Sequence, residues 1–231
     1  MRIRGLMILG LVLLLGGTQT DSAHASDWDL SLTERAKWKS FGVKNWTEFD
    51  PMERALPSQK TVVLSDWERP RDLSKLGQLK ALIAFAEAGR KGYDAVHVSA
   101  RIKTPKRPTQ MTLGQIKAWI RATPGQPHAI GRYQFIPSTL ASLQRRARLP
   151  DATRFSPRVQ DSLADLLLLD AGLNKFAKGK INRTAFMNNL ARIWAGLPLS
   201  SGKSAYHGYA GNRATITLAF YQREMKKIFG G

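Results

Sequence analysis

Three blocks of this 231-residue chain repeat apolar residues at steps of three and four, the spacing of one face of an α-helix. Leu76, Leu79, Ile83 and Ala86 form the first, Val159, Leu163, Leu166 and Leu167 the second, and Phe186, Leu190, Ile193 and Trp194 the third. Start and stop residues frame them. Gly89 follows the first stripe as a C-terminal stop, while Ser156-Pro157 and Asn182 stand at N-cap positions before the other two. Thr112-Leu-Gly-Gln115 is a capping box that opens a helix through Trp119, and Pro137 starts another that runs to about Ala147. Asn212 is read as the cap of a last helix ending near Phe229. Residues 90–111, rich in Lys, Arg and Pro, and the irregular stretch 122–136 interrupt the series. The pattern predicts a mostly α domain with a small β/loop insertion after its first helix.

The start of the chain follows different rules. Arg2 and Arg4 precede a 12-residue apolar run (6–17), and Ala23-His24-Ala25 follows. A basic region, a short apolar core and an A-x-A site are the parts of a secretory signal, and the run is well short of the ~20 residues that span a bilayer. Residues 1–25 are therefore expected to be a signal peptide cut after Ala25, giving a periplasmic or secreted protein. A short membrane anchor is the alternative. Residues 26–75 read as an N-terminal arm. Ser31-Leu-Thr-Glu34 is a capping box for a helix over 32–40, Asp50-Pro51 is a second N-cap, and 61–64 suits a short strand. Trp28, Trp38, Trp46 and Trp67 concentrate here, and aromatics at that density are expected to pack over the main domain, with Pro70 at the junction.

Composition narrows the chemistry. There is no cysteine, which removes disulfides, thiol nucleophiles and Cys-ligated zinc. The four histidines, at 24, 97, 128 and 207, form no metal-gripping pair, and His97, His128 and His207 are expected at the surface or in loops. No cofactor is implied, and GxSxG, Walker and Rossmann patterns are missing. A formal net charge of +19 draws a protein toward polyanions; for an exported protein these are envelope polymers and lipid head groups more than nucleic acid. The basic run 101–107 reads as a solvated loop that could steer an anionic glycan, and Arg145-Arg146-Arg148 as a helix-end charge group.

Glu87 carries the sharpest functional signal. It lies four residues beyond Ile83, on the inward side at the C-terminal end of the first helix. Apolar neighbours and the negative end of the helix dipole both disfavour its anion, so its pKa is expected to rise, as a general acid near neutral pH requires. The plainer alternative is a helix-end Glu paired with Arg90 or Lys91.

Around Glu87 the chain reads Phe85-Ala-Glu87-Ala-Gly89-Arg-Lys-Gly-Tyr93-Asp94-Ala-Val96, followed by Met111-Thr-Leu-Gly-Gln-Ile116 and His128-Ala-Ile-Gly131-Arg132-Tyr133-Gln134-Phe135-Ile136. Further on come Phe155-Ser-Pro-Arg-Val-Gln160-Asp161, Ile193-Trp194-Ala-Gly-Leu-Pro198 and Ser204-Ala-Tyr206-His-Gly208-Tyr209-Ala-Gly211-Asn212. In this order the strings resemble the lysozyme-like muramidases and lytic transglycosylases typified by the phage lambda endolysin. The resemblance covers residues 76–231. It implies a lysozyme-like α+β fold for that region, peptidoglycan glycan strands as substrate, and Glu87 as the catalytic acid/base. It also implies that Tyr133 and Gln134 line the sugar cleft after a tight turn at Gly131, with Tyr93 and Asp94 in the loop after Glu87 and Trp194 as a cleft-side aromatic. One position departs from the pattern: Ala88 stands where relatives often carry Ser.

Cleaving the β-1,4 bond between N-acetylmuramic acid and N-acetylglucosamine needs a proton on the leaving oxygen and support for an oxocarbenium-like state. Glu87 would supply the proton. A lytic transglycosylase would use the sugar's acetamido group for the second task and form a 1,6-anhydro product. A hydrolytic muramidase would use a second carboxylate, for which Asp94 is the nearest candidate, although an Asp there also suits a turn cap. For Tyr133 and Trp194 a sugar-facing role and core packing both fit. A catalytically silent peptidoglycan-binding or assembly protein is the reading from another class. A monomer is expected, with an envelope or secretion-system protein as a candidate partner and nucleic acid not expected.

Overall fold

The computed structural model describes residues 64–208 and 212–230. The signal segment, the arm's elements before residue 64, Trp28, Trp38, Trp46 and the Tyr209-Ala-Gly211 string lie outside the described residues. Among the described residues there are seven α-helices: α1 (Lys75–Glu87), α2 (Leu113–Ala122), α3 (Pro137–Arg146), α4 (Pro157–Asp170), α5 (Leu173–Ala177), α6 (Arg183–Ile193) and α7 (Leu218–Phe229). The expected β/loop insertion between α1 and α2 carries only isolated bridges, Val96 with Ile130 and Thr112 with Arg154. The fold is mostly α, as the sequence pattern predicts.

Helix α1 begins at a Ser74 cap, whose hydroxyl accepts the Gly77 N–H at 3.2 Å, and stops where Gly89 takes a φ of 53°. The sequence suggests one buried stripe, yet Leu79, Ala81, Leu82, Ile83, Ala84 and Ala86 are all buried. Neighbours cover the helix on nearly every side. Leu79, Leu82 and Ile83 are fully enclosed, each contributing about 2 kcal/mol of apolar burial. Helix α7 packs on one flank, where Phe85, Phe220 and Trp67 meet with ring centroids 5.1–6.2 Å apart. Trp67 also donates its indole N–H to Glu224 at 3.0 Å, which fastens the chain before α1 to α7. On another flank Lys80 pairs with Asp165 of α4 at 3.0 Å.

The local start signals are realised in atomic detail. Thr112 and Gln115 cap each other reciprocally, at 3.2 and 2.9 Å, and the Asn182 side chain accepts the Ala185 N–H at 2.8 Å. Ser156 accepts the Val159 N–H at 3.4 Å with Pro157 at the first helical position of α4. The start of the last helix differs from expectation: Thr217, not Asn212, caps α7, accepting the Phe220 N–H at 3.2 Å. Asn212 is buried instead. The cause is tertiary, because the Thr215 N–H donates to the Gly196 carbonyl at 2.9 Å and holds that stretch out of helical geometry. Arg146, one of the helix-end cations, makes a paired contact with Asp170 at 2.6 and 2.8 Å that locks α3 to α4.

Candidate active site

Glu87 is the last residue of α1, and its side chain meets a segment more than a hundred positions away. Its Oε1 accepts the Gly196 N–H at 2.9 Å. The contact depends on the absence of a side chain at 196: a Cβ there would lie 2.6 Å from the Ala86 carbonyl oxygen, 2.9 Å from Thr215 Oγ1 and 3.0 Å from Glu87 Oε1. The Thr215 hydroxyl completes the junction. It lies 2.7 Å from the Ala86 carbonyl oxygen and 3.1 Å from that of Gly196. Carbonyls in the last turn of a helix lack intrahelical donors, so Thr215 satisfies one that would otherwise be stranded in a buried place. Arg90, one of the cations considered for Glu87, pairs with Asp66 at 3.0 Å.

Beyond Gly89 the chain forms a short 3-10 segment, Gly89–Asp94, that presents Tyr93 and Asp94. Asp94 behaves as a loop cap: its Oδ1 accepts the Thr109 N–H at 2.9 Å. Tyr93 is half-buried, with its hydroxyl 3.0 Å from both Asp161 oxygens and its ring under the Arg132 guanidinium, 4.8 Å from the centroid. The Tyr133 hydroxyl donates to the same carboxylate at 2.6 Å. Burial, and then the Asp161 charge, push both phenols up from their ordinary value, so they remain protonated donors.

Gly131 occupies a position only glycine can take. Its φ is 78°, and a Cβ would lie 2.5 Å from Gln160 Oε1. Its N–H donates to the Ala95 carbonyl at 2.7 Å, which ties the turn to the strand-like stretch after Asp94. Gln134, at φ 45°, folds its side chain back so that Nε2 donates to the Gly131 carbonyl at 2.9 Å. Beneath the turn lies Gln160, fully buried. Its Nε2 donates to the carbonyls of Tyr93 and Phe155, each at 3.0 Å, and its Oε1 accepts the Arg132 N–H at 2.8 Å.

Tyr93, Gly131 and Tyr133 are thus drawn together by the first turn of α4, with Gln134 closing the turn, while Glu87 is fixed by the turn after α6 that contains Trp194. Two side chains face differently from a sugar-lining role. Tyr133 and Trp194 are each 2% exposed and belong to the core, because their rings fill the space under these turns. The histidines also differ from expectation: His97 and His128 are buried, the latter 2.9 Å from the Thr123 hydroxyl and carbonyl oxygens. Gln160, Asp161 and Gly196 stand in the strings that carry the resemblance but receive no role from the sequence, and Thr215 lies outside those strings. A usable signal existed for Gln160, a polar residue three positions before Leu163 on an apolar stripe.

The family model described as Endolysin matches residues 81–227, which is 147 of the 231 residues. The chain belongs to the endolysin family. It is a peptidoglycan-cleaving enzyme in general class. The matched span of this endolysin-family chain takes in both junctions just described, from the last two turns of α1 to the last turn of α7. No curated protein and no solved structure matches the chain.

Proposed function

We propose that this endolysin-family protein acts on the β-1,4 bond between N-acetylmuramic acid and N-acetylglucosamine as a lytic transglycosylase, with Glu87 as its single acid/base. The observation that carries this reading is how Glu87 is held: it ends a buried helix, and its Oε1 accepts a backbone N–H from Gly196 at 2.9 Å. In a protonated carboxyl the oxygen that accepts this bond is the carbonyl oxygen, so Oε2 carries the transferable proton. Glu87 gives that proton to the glycosidic oxygen as the C1–O bond breaks, and the acetamido group of the muramyl residue supports the positive charge at C1. Glu87, now a carboxylate, takes the proton from the muramyl 6-hydroxyl, whose oxygen closes on C1. The product is a 1,6-anhydro sugar, and the carboxyl returns to its starting state.

A single-carboxylate mechanism agrees with what the neighbouring acids are doing. Asp94 accepts a loop N–H from Thr109, and Asp161 accepts two tyrosine hydroxyls. Both hold segments in place. Export to the periplasm or beyond is part of the same proposal and rests on Arg2, Arg4, the apolar run 6–17 and Ala23-His24-Ala25.

The test is mass spectrometry of soluble products after incubation of purified peptidoglycan with the protein and with Glu87→Gln. Anhydro-muropeptides that fall by about 10²–10⁴-fold in the variant are expected, the usual weight of a general acid/base. Reducing-end products would replace the reading with hydrolysis. Equal activity in Glu87→Gln would remove Glu87 from the mechanism, and no product from either would favour a silent binding protein.

A further inference from the structure

We propose that residues 98–107 form a preformed docking loop for the anionic headgroup layer of a phospholipid bilayer. The loop carries Arg101, Lys103, Lys106 and Arg107, all exposed, and no acidic residue. Among the described residues three large hydrophobic side chains are exposed, and two of them are here: Val98 at 47% and Ile102 at 59%.

Ile102 is held outward by design of the backbone contacts around it. Its N–H donates to Gln126 Oε1 at 2.9 Å, and its carbonyl accepts from Gln126 Nε2 at 2.9 Å and from the Trp119 indole at 3.2 Å. Lys103 reaches back and donates to the carbonyls of His97 and Val98, at 2.9 and 3.2 Å, so the start and middle of the loop are tied together. His97, Ala100 and Pro108 are buried and act as anchors. The chain therefore alternates between anchors that point in and apolar residues that point out. A loop already ordered in this way loses little freedom on binding.

The chemistry selects one occupant. Four cations that pair with no acidic side chain among the described residues suit anionic head groups, and each Lys or Arg near such a surface strengthens binding about fivefold. Two fixed apolar side chains within the same basic loop gain only from an apolar phase beneath the charge. A bilayer interface provides that phase, and a hydrated anionic polymer does not. Docking there would hold an envelope enzyme at the edge of the layer whose glycan it cleaves.

Because the whole chain is strongly basic, the test must separate this loop from diffuse attraction. The protein has no cysteine, so Ile102→Cys accepts a single environment-sensitive fluorophore. With vesicles of phosphatidylcholine plus phosphatidylglycerol, a label at 102 is expected to shift to the blue. A label on Lys178→Cys, in the exposed turn after α5, is expected not to. The triple variant Arg101→Gln, Lys106→Gln, Arg107→Gln should weaken vesicle co-sedimentation by about 10²-fold. The charge-matched triple Lys175→Gln, Lys178→Gln, Lys180→Gln should weaken it far less. Ile102→Ser should reduce binding by about tenfold while leaving turnover of soluble peptidoglycan fragments unchanged. Equal losses in the two triples would overturn the proposal in favour of net charge. An unshifted label at 102 with loop-dependent binding would overturn it in favour of an anionic polymer.

Discussion

Replacing Gly196 with Ala probes the contact on which the positioning of Glu87 depends. The new Cβ would sit 2.6 Å from the Ala86 carbonyl oxygen, about 1 Å short of ordinary contact. That oxygen belongs to the backbone of α1 and cannot swing aside as a flexible side chain would. The turn at 196 must retreat, and a retreat of that size stretches the 2.9 Å bond to Glu87 Oε1 beyond hydrogen-bonding range. It also strains the two contacts from Thr215 to the Gly196 carbonyl. Overpacking costs about 1–3 kcal/mol and each weakened hydrogen bond about 1 kcal/mol, so a loss of about 2–4 kcal/mol in stability is expected. With Glu87 as the proposed acid/base, the larger effect falls on activity, because displacing such a group by about 1 Å can lower turnover about 10²-fold. Urea unfolding gives the first quantity, and muropeptide release per folded molecule gives the second. Thr215→Val serves as a milder companion: it keeps the shape but strands the Ala86 carbonyl, and should cost about 1–2 kcal/mol with a smaller loss of turnover. If Gly196→Ala keeps both the unfolding midpoint and the turnover of the parent protein, Gly196 does not position Glu87.

Two further outcomes follow from buried groups away from Glu87. Gln160→Leu strands the carbonyls of Tyr93 and Phe155 and the Arg132 N–H, and should cost about 3 kcal/mol or more in urea unfolding; a loss below about 1 kcal/mol would show that these bonds carry little. His97 is held down at about 4, from an ordinary 6.5, by burial and then by the charge of Lys103. The unfolded chain therefore binds this proton first on acidification, and stability should fall by about 3 kcal/mol between pH 6.5 and 4. His97→Asn, whose Oδ1 can still accept the Ser99 N–H, should flatten that limb of a pH series of unfolding curves, and an unchanged slope would contradict the assignment.

How much of this was legible in the sequence depended on the range of each interaction. The caps at Thr112, Ser156 and Asn182 need only residues within three positions, and the sequence contains all of them. Asn212 had the right chemistry for a cap but lost to Thr217, because the stretch before it is tied to Gly196, a contact that no local pattern reveals. For α1 the visible stripe was only part of the buried surface. The rest is covered by α7 and Trp67, which arrive from opposite ends of the described chain. The resemblance to muramidases located the segments around Glu87 and Gly131 without showing which way each ring points, so Tyr133 and Trp194 emerged as core.

The residues to which the sequence assigns no role share a physical character: each joins segments instead of presenting itself. Gln160 and Asp161 are adjacent at the start of α4, and successive helical positions face about 100° apart. One therefore reaches inward to the backbone at 93, 132 and 155, while the other meets the hydroxyls of Tyr93 and Tyr133. Gly196 and Thr215 do the same for the end of α1. A buried amide suits the first task because it can donate twice and accept once in a place without water. A carboxylate suits the second because two raised phenols can donate to it without competing for protons. Glycine suits the third because the helix end approaches too closely for any side chain. Glu87 can be a simple carboxyl at the tip of a helix because these four residues hold the chain on either side of it.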